Sequence, residues 1–275
     1  MIRSGLIGRS ILASRSPELH EREAQALGLD LSYELFDFTD RALDDSELGA
    51  VLEQLKRDGF AGFNVTFPFK QAILPLLDEL DESAAMVGAV NTVAIRNGRL
   101  IGHNTDMAGF RDSVKQGLPG ASLRHVVQMG AGGAGAAVAS ALLSLGVQTL
   151  ELVDVDATRS EALRADLGER FPHRAIKVTM PDALDTHGAD GIVNATPIGM
   201  NGKPGLPLPA DKVQSQHWLA DIIYFPPETE LLRVARSKGC KAINGVGMVV
   251  SQAARAFRII TGHEADAARM AASLV

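Results

Sequence analysis

Residues 125–129, His-Val-Val-Gln-Met, form a short apolar run that passes directly into Gly130-Ala-Gly-Gly-Ala-Gly135 and then into an Ala-rich segment. A buried strand feeding a glycine turn and a small apolar helix is the entry to a dinucleotide-binding βαβ unit. Gly130 permits the tight turn, Gly132 lets the backbone approach a pyrophosphate, and Gly135 lets helix and strand pack closely, with the helix N-terminus facing the anion. Ala131, Gly133 and Ala134 complete the turn. The glycine spacing alone is weak, because glycine turns are common in Ala-rich helices; the flanking strand and helix carry the reading.

A second requirement is an acid roughly 20 residues further on, at the end of the next strand, where a carboxylate binds the adenosine ribose hydroxyls. Asp154 stands there. It would repel a 2′-phosphate, and no Arg occupies 154–156 (Asp-Val-Asp), so NAD is expected over NADP. Arg159 is close enough in sequence to reach a phosphate, although an ordinary solvated helix Arg explains it as well. Asp156 suits the N-cap of that helix.

The rest of the chain bounds the class. At 275 residues it exceeds the usual single-domain size, so two domains, or one with a large insertion, are expected. Ala- and Leu-rich helices alternate with short Val and Ile runs, which indicates an α/β fold. A net charge of −6, with no block of basic residues, argues against nucleic acid and anionic membranes. One cysteine, Cys240, allows no internal disulfide, and neither a signal-like start nor a bilayer-length apolar run is present, so a cytoplasmic location is expected. The scattered histidines provide no metal motif, and no metal is expected. Nothing in the pattern chooses between a monomer and a homodimer.

Strands are expected at 2–8, 33–38, from 59 to Pro68, at 90–96 and at 99–103, the last two joined by Asn97-Gly98. Helices fit 18–28, started by Ser16-Pro17, and also 48–58, 69–79 and 82–87. After a helix from about 107, parallel strands are expected near 125–129, 150–154, 175–179, 191–195 and 219–223, with helices at 133–145, 158–170 and 229–238. Final helices at 246–260 and 263–273 would pack back at the cleft between the domains. The expected division is an N-terminal substrate domain, 1–104 with 245–275, and a doubly wound dinucleotide domain of Rossmann type, 105–244.

Two segments outside the dinucleotide unit carry chemistry: Gly62-Phe-Asn-Val-Thr-Phe-Pro-Phe-Lys70 and Gly102-His-Asn-Thr-Asp106. A Lys and an Asp on strand-end loops can form a proton-transfer pair. At a helix start, Lys70 would oppose the macrodipole, as expected if function or a carboxylate partner holds it there. Two surface charges that never meet are the ordinary alternative.

With Ser14-Arg-Ser-Pro17, His20, Gly88-Ala-Val-Asn-Thr92, Asn194-Ala-Thr-Pro-Ile-Gly-Met200, Asp221-Ile-Ile-Tyr224, Pro226, Gly247-Met248 and Gln252-Ala-Ala, these motifs run almost the whole length and resemble the shikimate dehydrogenase family. The resemblance implies a catalytic pair, Lys70 and Asp106, and a polyol pocket lined by Ser14, Ser16, Thr66, Asn91, Asp106, Tyr224 and Gln252. It also implies cofactor contacts at Thr196, Gly245 and Met248. The residue types suit a ring acid with several hydroxyls, which needs hydroxyl donors, amides and a phenol rather than an apolar wall. Ser14, Ser16 and Tyr224 would serve the carboxylate end.

This chain departs from the family where biosynthetic members commonly carry an Asn-Arg-Thr run: it has Asp154-Val-Asp156, and Ala13 replaces a common His. The acid resembles the branch acting on both quinate and shikimate with NAD, which forms 3-dehydroquinate or 3-dehydroshikimate and is catabolic. An NADP-dependent shikimate dehydrogenase, a relative acting on an amino analogue and a non-catalytic sensing module are the alternatives. Met200, Met248, His20, His103, Trp218 and Cys240 each have a plain structural explanation as well.

Overall fold

The computed structural model describes residues 1–274. It divides into two compact units, Met1–Thr105 with the chain from Val250 onward, and Asp106–Val249.

The first unit is built on β1 (Ile2–Gly8), α1 (Ser16–Ala26), β2 (Leu31–Asp37), α2 (Leu48–Arg57), β3 (Gly62–Val65), α3 (Phe69–Ala72), β4 (Glu79–Leu80), α4 (Glu82–Val87), β5 (Thr92–Arg96) and β6 (Arg99–His103). Its sheet runs β2-β1-β3-β5-β6-β4. β1 pairs parallel with β2 and β3, whereas β5 is antiparallel to both β3 and β6. The β5–β6 hairpin turns on Asn97 (φ 52°) and Gly98 (φ 77°), and two positive φ angles are what a two-residue turn of this hand requires. Phe38, Leu52, Leu55, Phe63, Phe69 and Ile73 are fully enclosed in one core between sheet and helices.

The expected helix over 69–79 is a correction. α3 stops at Ala72, a 3-10 turn follows at Leu74–Leu76, and β4 pairs with β6. Pro75 is the physical reason, since it has no N–H to donate and disfavours helix at the residue before it. A four-residue helix also carries little macrodipole, so that argument about Lys70 falls away.

The second unit comprises α5 (Asp106–Gly117), β7 (His125–Met129), α6 (Gly133–Leu145), β8 (Thr149–Val153), α7 (Ala157–Arg170), β9 (Ala175–Thr179), β10 (Gly191–Asn194), β11 (Trp218–Asp221), α8 (Glu230–Ser237) and β12 (Lys241–Ile243). Every pairing in its sheet is parallel, in the order β12-β11-β10-β7-β8-β9. Counted from the strand before the glycine turn, the order reverses between β7 and β10, which is the switch point where open α/β sheets bind ligands. β12, only three residues at the sheet edge, has no counterpart among the expected strands.

The chain closes with α9 (Val246–Thr261) and α10 (Ala267–Ala272). The first turn of α9 belongs to the second unit because Gly245 N–H donates to the Ile223 carbonyl at 2.9 Å and Gly247 lies against Ser113 of α5. α10 is strapped to α1: Arg269 binds the buried Glu23 carboxylate through two bonds of 2.7 Å, and Arg15 donates to the carbonyls of Ser273 and Leu274.

Candidate active site

The glycine turn sits at the switch point of the second sheet. Gly130 has φ 98°, and a Cβ there would lie 2.8 Å from the Ala195 carbonyl oxygen at the end of β10. A Cβ on Gly135 would come within 2.4 Å of the Gly130 carbonyl oxygen, so helix and strand approach closer than any side chain permits. Gly132 is different: its backbone is extended, and a Cβ would meet nothing within 4 Å. The turn is braced from below by the buried Gln128, whose Nε2 donates to the carbonyls of Gly130 and Gly135, both at 2.8 Å. No side chain caps α6, so its first N–H groups are available to an anion. Gly133 and Ala134 form that first turn.

Asp154 follows β8, with its side chain almost enclosed. Its Oδ2 accepts the N–H of Ala131 at 2.8 Å, and Oδ1 accepts that of Asp156 at 3.0 Å. A carboxylate has about four lone-pair sites, which leaves acceptor capacity for ribose hydroxyls. Asp156 caps α7, accepting the N–H of Arg159 at 3.1 Å. The Arg159 guanidinium lies 3.6 Å from Asp154 and 3.4 Å from Asp156, shared between two acids.

Thr196 is held by Asn194, whose Oδ1 accepts both its N–H (3.0 Å) and its hydroxyl (2.7 Å). The Asn194 amide in turn donates to Asp221 at 3.0 Å, and Asp221 also accepts from the Thr229 hydroxyl at 2.7 Å and the Ile223 N–H at 3.1 Å. Burial pushes the Asp221 carboxyl up despite these donors. The network fixes the turn that carries the half-buried Tyr224. Gly245 closes on the same turn, where a Cβ would stand 2.0 Å from the Ile222 carbonyl oxygen. Met248 is buried in the first turns of α9. Asp221 and Thr229 were missed as positioning groups; an Asp ending a buried strand with a Thr eight residues on was the available signal.

In the first unit two hydrogen-bonded groups hold three of the expected substrate residues, Ser14 with Ser16 in one and Asn91 in the other. The Ser14 hydroxyl donates to Ser16 Oγ at 3.1 Å, and the phenol of Tyr33 donates to Asn64 Oδ1 at 2.9 Å. Asn64 Nδ2 donates to the Asn91 carbonyl (3.2 Å) and to Thr92 Oγ1 (3.0 Å). Asn91 and Thr105 are locked by two bonds, Nδ2 to Oγ1 at 2.9 Å and Thr105 N–H to Oδ1 at 2.8 Å. Asp106, buried, follows immediately as the first residue of α5. Tyr33 and Asn64 were not among the expected site residues.

Thr66 leaves β3 with its N–H on the Ile7 carbonyl at 2.9 Å, and the half-buried Lys70 holds the Val90 N–H on its own carbonyl at 2.8 Å. Gln252 lies on α9, its Oε1 buried without a hydrogen-bond partner. Thus Ser14, Ser16, Thr66, Lys70, Asn91 and Gln252 belong to the first unit, while Asp106, Tyr224 and the cofactor residues belong to the second. His20 is enclosed between Tyr33 and Phe257, with ring centres at 4.7 and 5.9 Å, and burial pushes its imidazole down to about 4. His103 lies 3.6 Å from Asp81. Trp218 and Cys240 are buried.

Among the described residues no helix is long and apolar enough to cross a membrane. The family model described as "Shikimate dehydrogenase substrate binding domain" matches residues 6–93, and "Shikimate 5'-dehydrogenase C-terminal domain" matches 245–275. The chain is 47% identical to a shikimate dehydrogenase (NADP(+)) of Pseudarthrobacter chlorophenolicus, over 97% of this chain and 92% of that protein. It is 44% identical to a quinate/shikimate dehydrogenase (NAD(+)) of Corynebacterium efficiens, over 98% and 96%. Quinate dehydrogenase from Corynebacterium glutamicum, solved in complex with NAD, superposes with a TM-score of 0.92 at 42% identity, over 99% of this chain and 98% of that one. With the same two-unit α/β architecture and identities of this size along nearly its whole length, the chain belongs to the shikimate dehydrogenase family of oxidoreductases.

Proposed function

We propose that the protein transfers hydride reversibly between NAD and a ring hydroxyl of quinate or shikimate, with 3-dehydroquinate or 3-dehydroshikimate as the product. The observation that carries the choice of NAD is the Asp154 carboxylate, nearly buried at the end of β8 and bonded to the glycine turn. A 2′-phosphate there would face a fixed negative charge, and the nearest cation, Arg159, is already engaged by two carboxylates. The open face of Gly132 and the uncapped start of α6 suit a pyrophosphate. The NADP(+) designation of the Pseudarthrobacter relative keeps an NADP-dependent shikimate dehydrogenase as the second reading.

The nicotinamide, when bound, supplies the hydride acceptor. Lys70, as the amine, takes the hydroxyl proton during oxidation and returns it from the ammonium form during reduction, one group serving both directions. Asp106, which follows the locked Thr105, holds and orients that group. Ser14 and Ser16 receive the carboxylate end. The unpaired acceptor of Gln252 suits a ring hydroxyl. A ring acid deuterated at the reacting carbon tests this reading directly: the label should appear in the reduced nicotinamide with equimolar ketone, and no cofactor reduction with either acid would refute it.

A further inference from the structure

Ser14 and Ser16 stand on either side of Arg15 in a segment that the apolar core does not grip: residues 12–18 are exposed or half-buried, between the buried Ile11 and Leu19. Local bonds shape the segment, from the Ser14 N–H to the Ile11 carbonyl at 2.8 Å and from the Ser16 N–H to Ser14 Oγ at 3.3 Å. Arg15 adds ties to the far end of the chain. Its Nη1 donates to the Leu274 carbonyl and its Nη2 to the Ser273 carbonyl, both at 2.7 Å. Nε and Nη2 also donate to the Glu18 carboxylate, at 3.0 and 2.9 Å. These bonds engage four of the five guanidinium N–H groups and hold the side chain in one conformation. The carbonyls it binds follow the last turn of α10, where a cation is favoured.

The clamp is only as firm as α10, and a helix of six residues is marginal by itself. Its other end is fastened to α1. Arg269 pairs with the enclosed Glu23 carboxylate, which also accepts the Asp266 N–H at 2.7 Å. Asp266 in turn caps α10, accepting the N–H groups of Ala268 at 2.9 Å and Arg269 at 3.0 Å. We infer that α10 is a strut of the substrate pocket, and that Arg15, clamped by its terminal carbonyls, is a positioning residue that holds Ser14 and Ser16 ready for the ring-acid carboxylate. This rests on the assignment of Ser14 and Ser16 to the carboxylate end. Hydroxyls already in place cost the ligand no ordering when it binds, so loss of the clamp appears as weaker binding of the acid. With its donors engaged by Glu18 and α10, Arg15 acts through the backbone between the serines rather than on the acid itself.

The test measures kcat, KM for NAD and KM for whichever of quinate and shikimate the wild type oxidises better, in the wild type, Arg15→Ala, Arg269→Ala and the double variant. Arg15→Ala should raise KM for the acid about fivefold, as when the competent arrangement of the serines is populated about one-fifth of the time. KM for NAD should be unchanged and kcat should stay within about twofold. Arg269 is bonded to Glu23 and not to the serines, yet Arg269→Ala should raise the same KM about threefold, and should raise it no further once Arg15 is absent. An unchanged KM in Arg15→Ala would overturn the inference. So would an unchanged KM in Arg269→Ala, which would leave Arg15 acting without α10, or an equal rise with and without Arg15. Should Arg269→Ala fail to fold, Asp266→Ala takes its place with the same expected pattern, since it loosens α10 by removing an exposed cap. A wild type that oxidises neither acid would refute the ring-acid reading and this inference with it. A wild type active on either acid, with KM unchanged in the variants, would refute this inference alone.

Discussion

The N–H of Ala131 donates to the carboxylate of Asp154 at 2.8 Å, which ties the glycine turn after β7 to the acid after β8. One side chain thus has two separable duties, holding the turn and excluding a phosphate. Asp154→Asn keeps an oxygen for Ala131 but removes the charge. The NAD-to-NADP ratio of kcat/KM should fall about tenfold or more while the melting temperature stays close to wild type. Asp154→Ala loses both duties and should also cost about 1 kcal/mol of stability, measurable by denaturant titration.

The glycines of the turn should separate folding from binding. A Cβ at Gly135 collides with the Gly130 carbonyl, so Gly135→Ala should destabilise the cofactor-free protein by about 1–3 kcal/mol. At Gly132 the backbone is extended and the space open. Gly132→Ala should leave the cofactor-free melting temperature unchanged and raise KM for the cofactor about tenfold. Equal melting temperatures for the two variants would contradict this division.

His20 should shape the acid limb of stability. Burial lowers its imidazole to about 4, whereas the unfolded chain protonates near the ordinary histidine value of about 6.5. The unfolded state therefore binds the extra proton in this window. The stability is complete above about pH 6.5 and is lost as the pH falls towards 4, a loss of order 3 kcal/mol. His217, also lowered by burial, acts in the same direction. Urea titrations across this range should show a slope shallower by about 1.4 kcal/mol per pH unit in His20→Leu. A parallel slope would show that His20 is not the group responsible.

Removing the acid–base group should act on turnover rather than on folding. Lys70→Ala is expected to lower kcat by about 10²- to 10⁴-fold with its melting temperature near that of the wild type. Undiminished turnover would show that another group moves the proton.

Features that rest on hard sterics were legible in the chain before its structure. The turn at 130–135, the helix start at Ser16-Pro17 and the Asn97-Gly98 hairpin each depend on what a particular residue's backbone allows, and each lies where it was expected. Pro75 was equally explicit, yet the apolar spacing around it read as a continuing helix. β12 is too short to show a period. Tyr33 stood only as the start of an expected strand, because its hydrogen bond to Asn64 spans residues far apart in sequence and close only after β1, β2 and β3 have paired. Asp221 stood in a recognised motif, but its positioning role was hidden in the same way, because its partners Asn194 and Thr229 arrive from neighbouring elements.

The most direct measurement is the initial rate of cofactor reduction by the purified protein with quinate or shikimate against NAD or NADP, compared as kcat/KM. Turnover of at least one acid, with NAD favoured by about tenfold or more, is the expected result. Preference for NADP with both acids would contradict the role given to Asp154, and no reduction in any of the four combinations would contradict the ring-acid dehydrogenase itself.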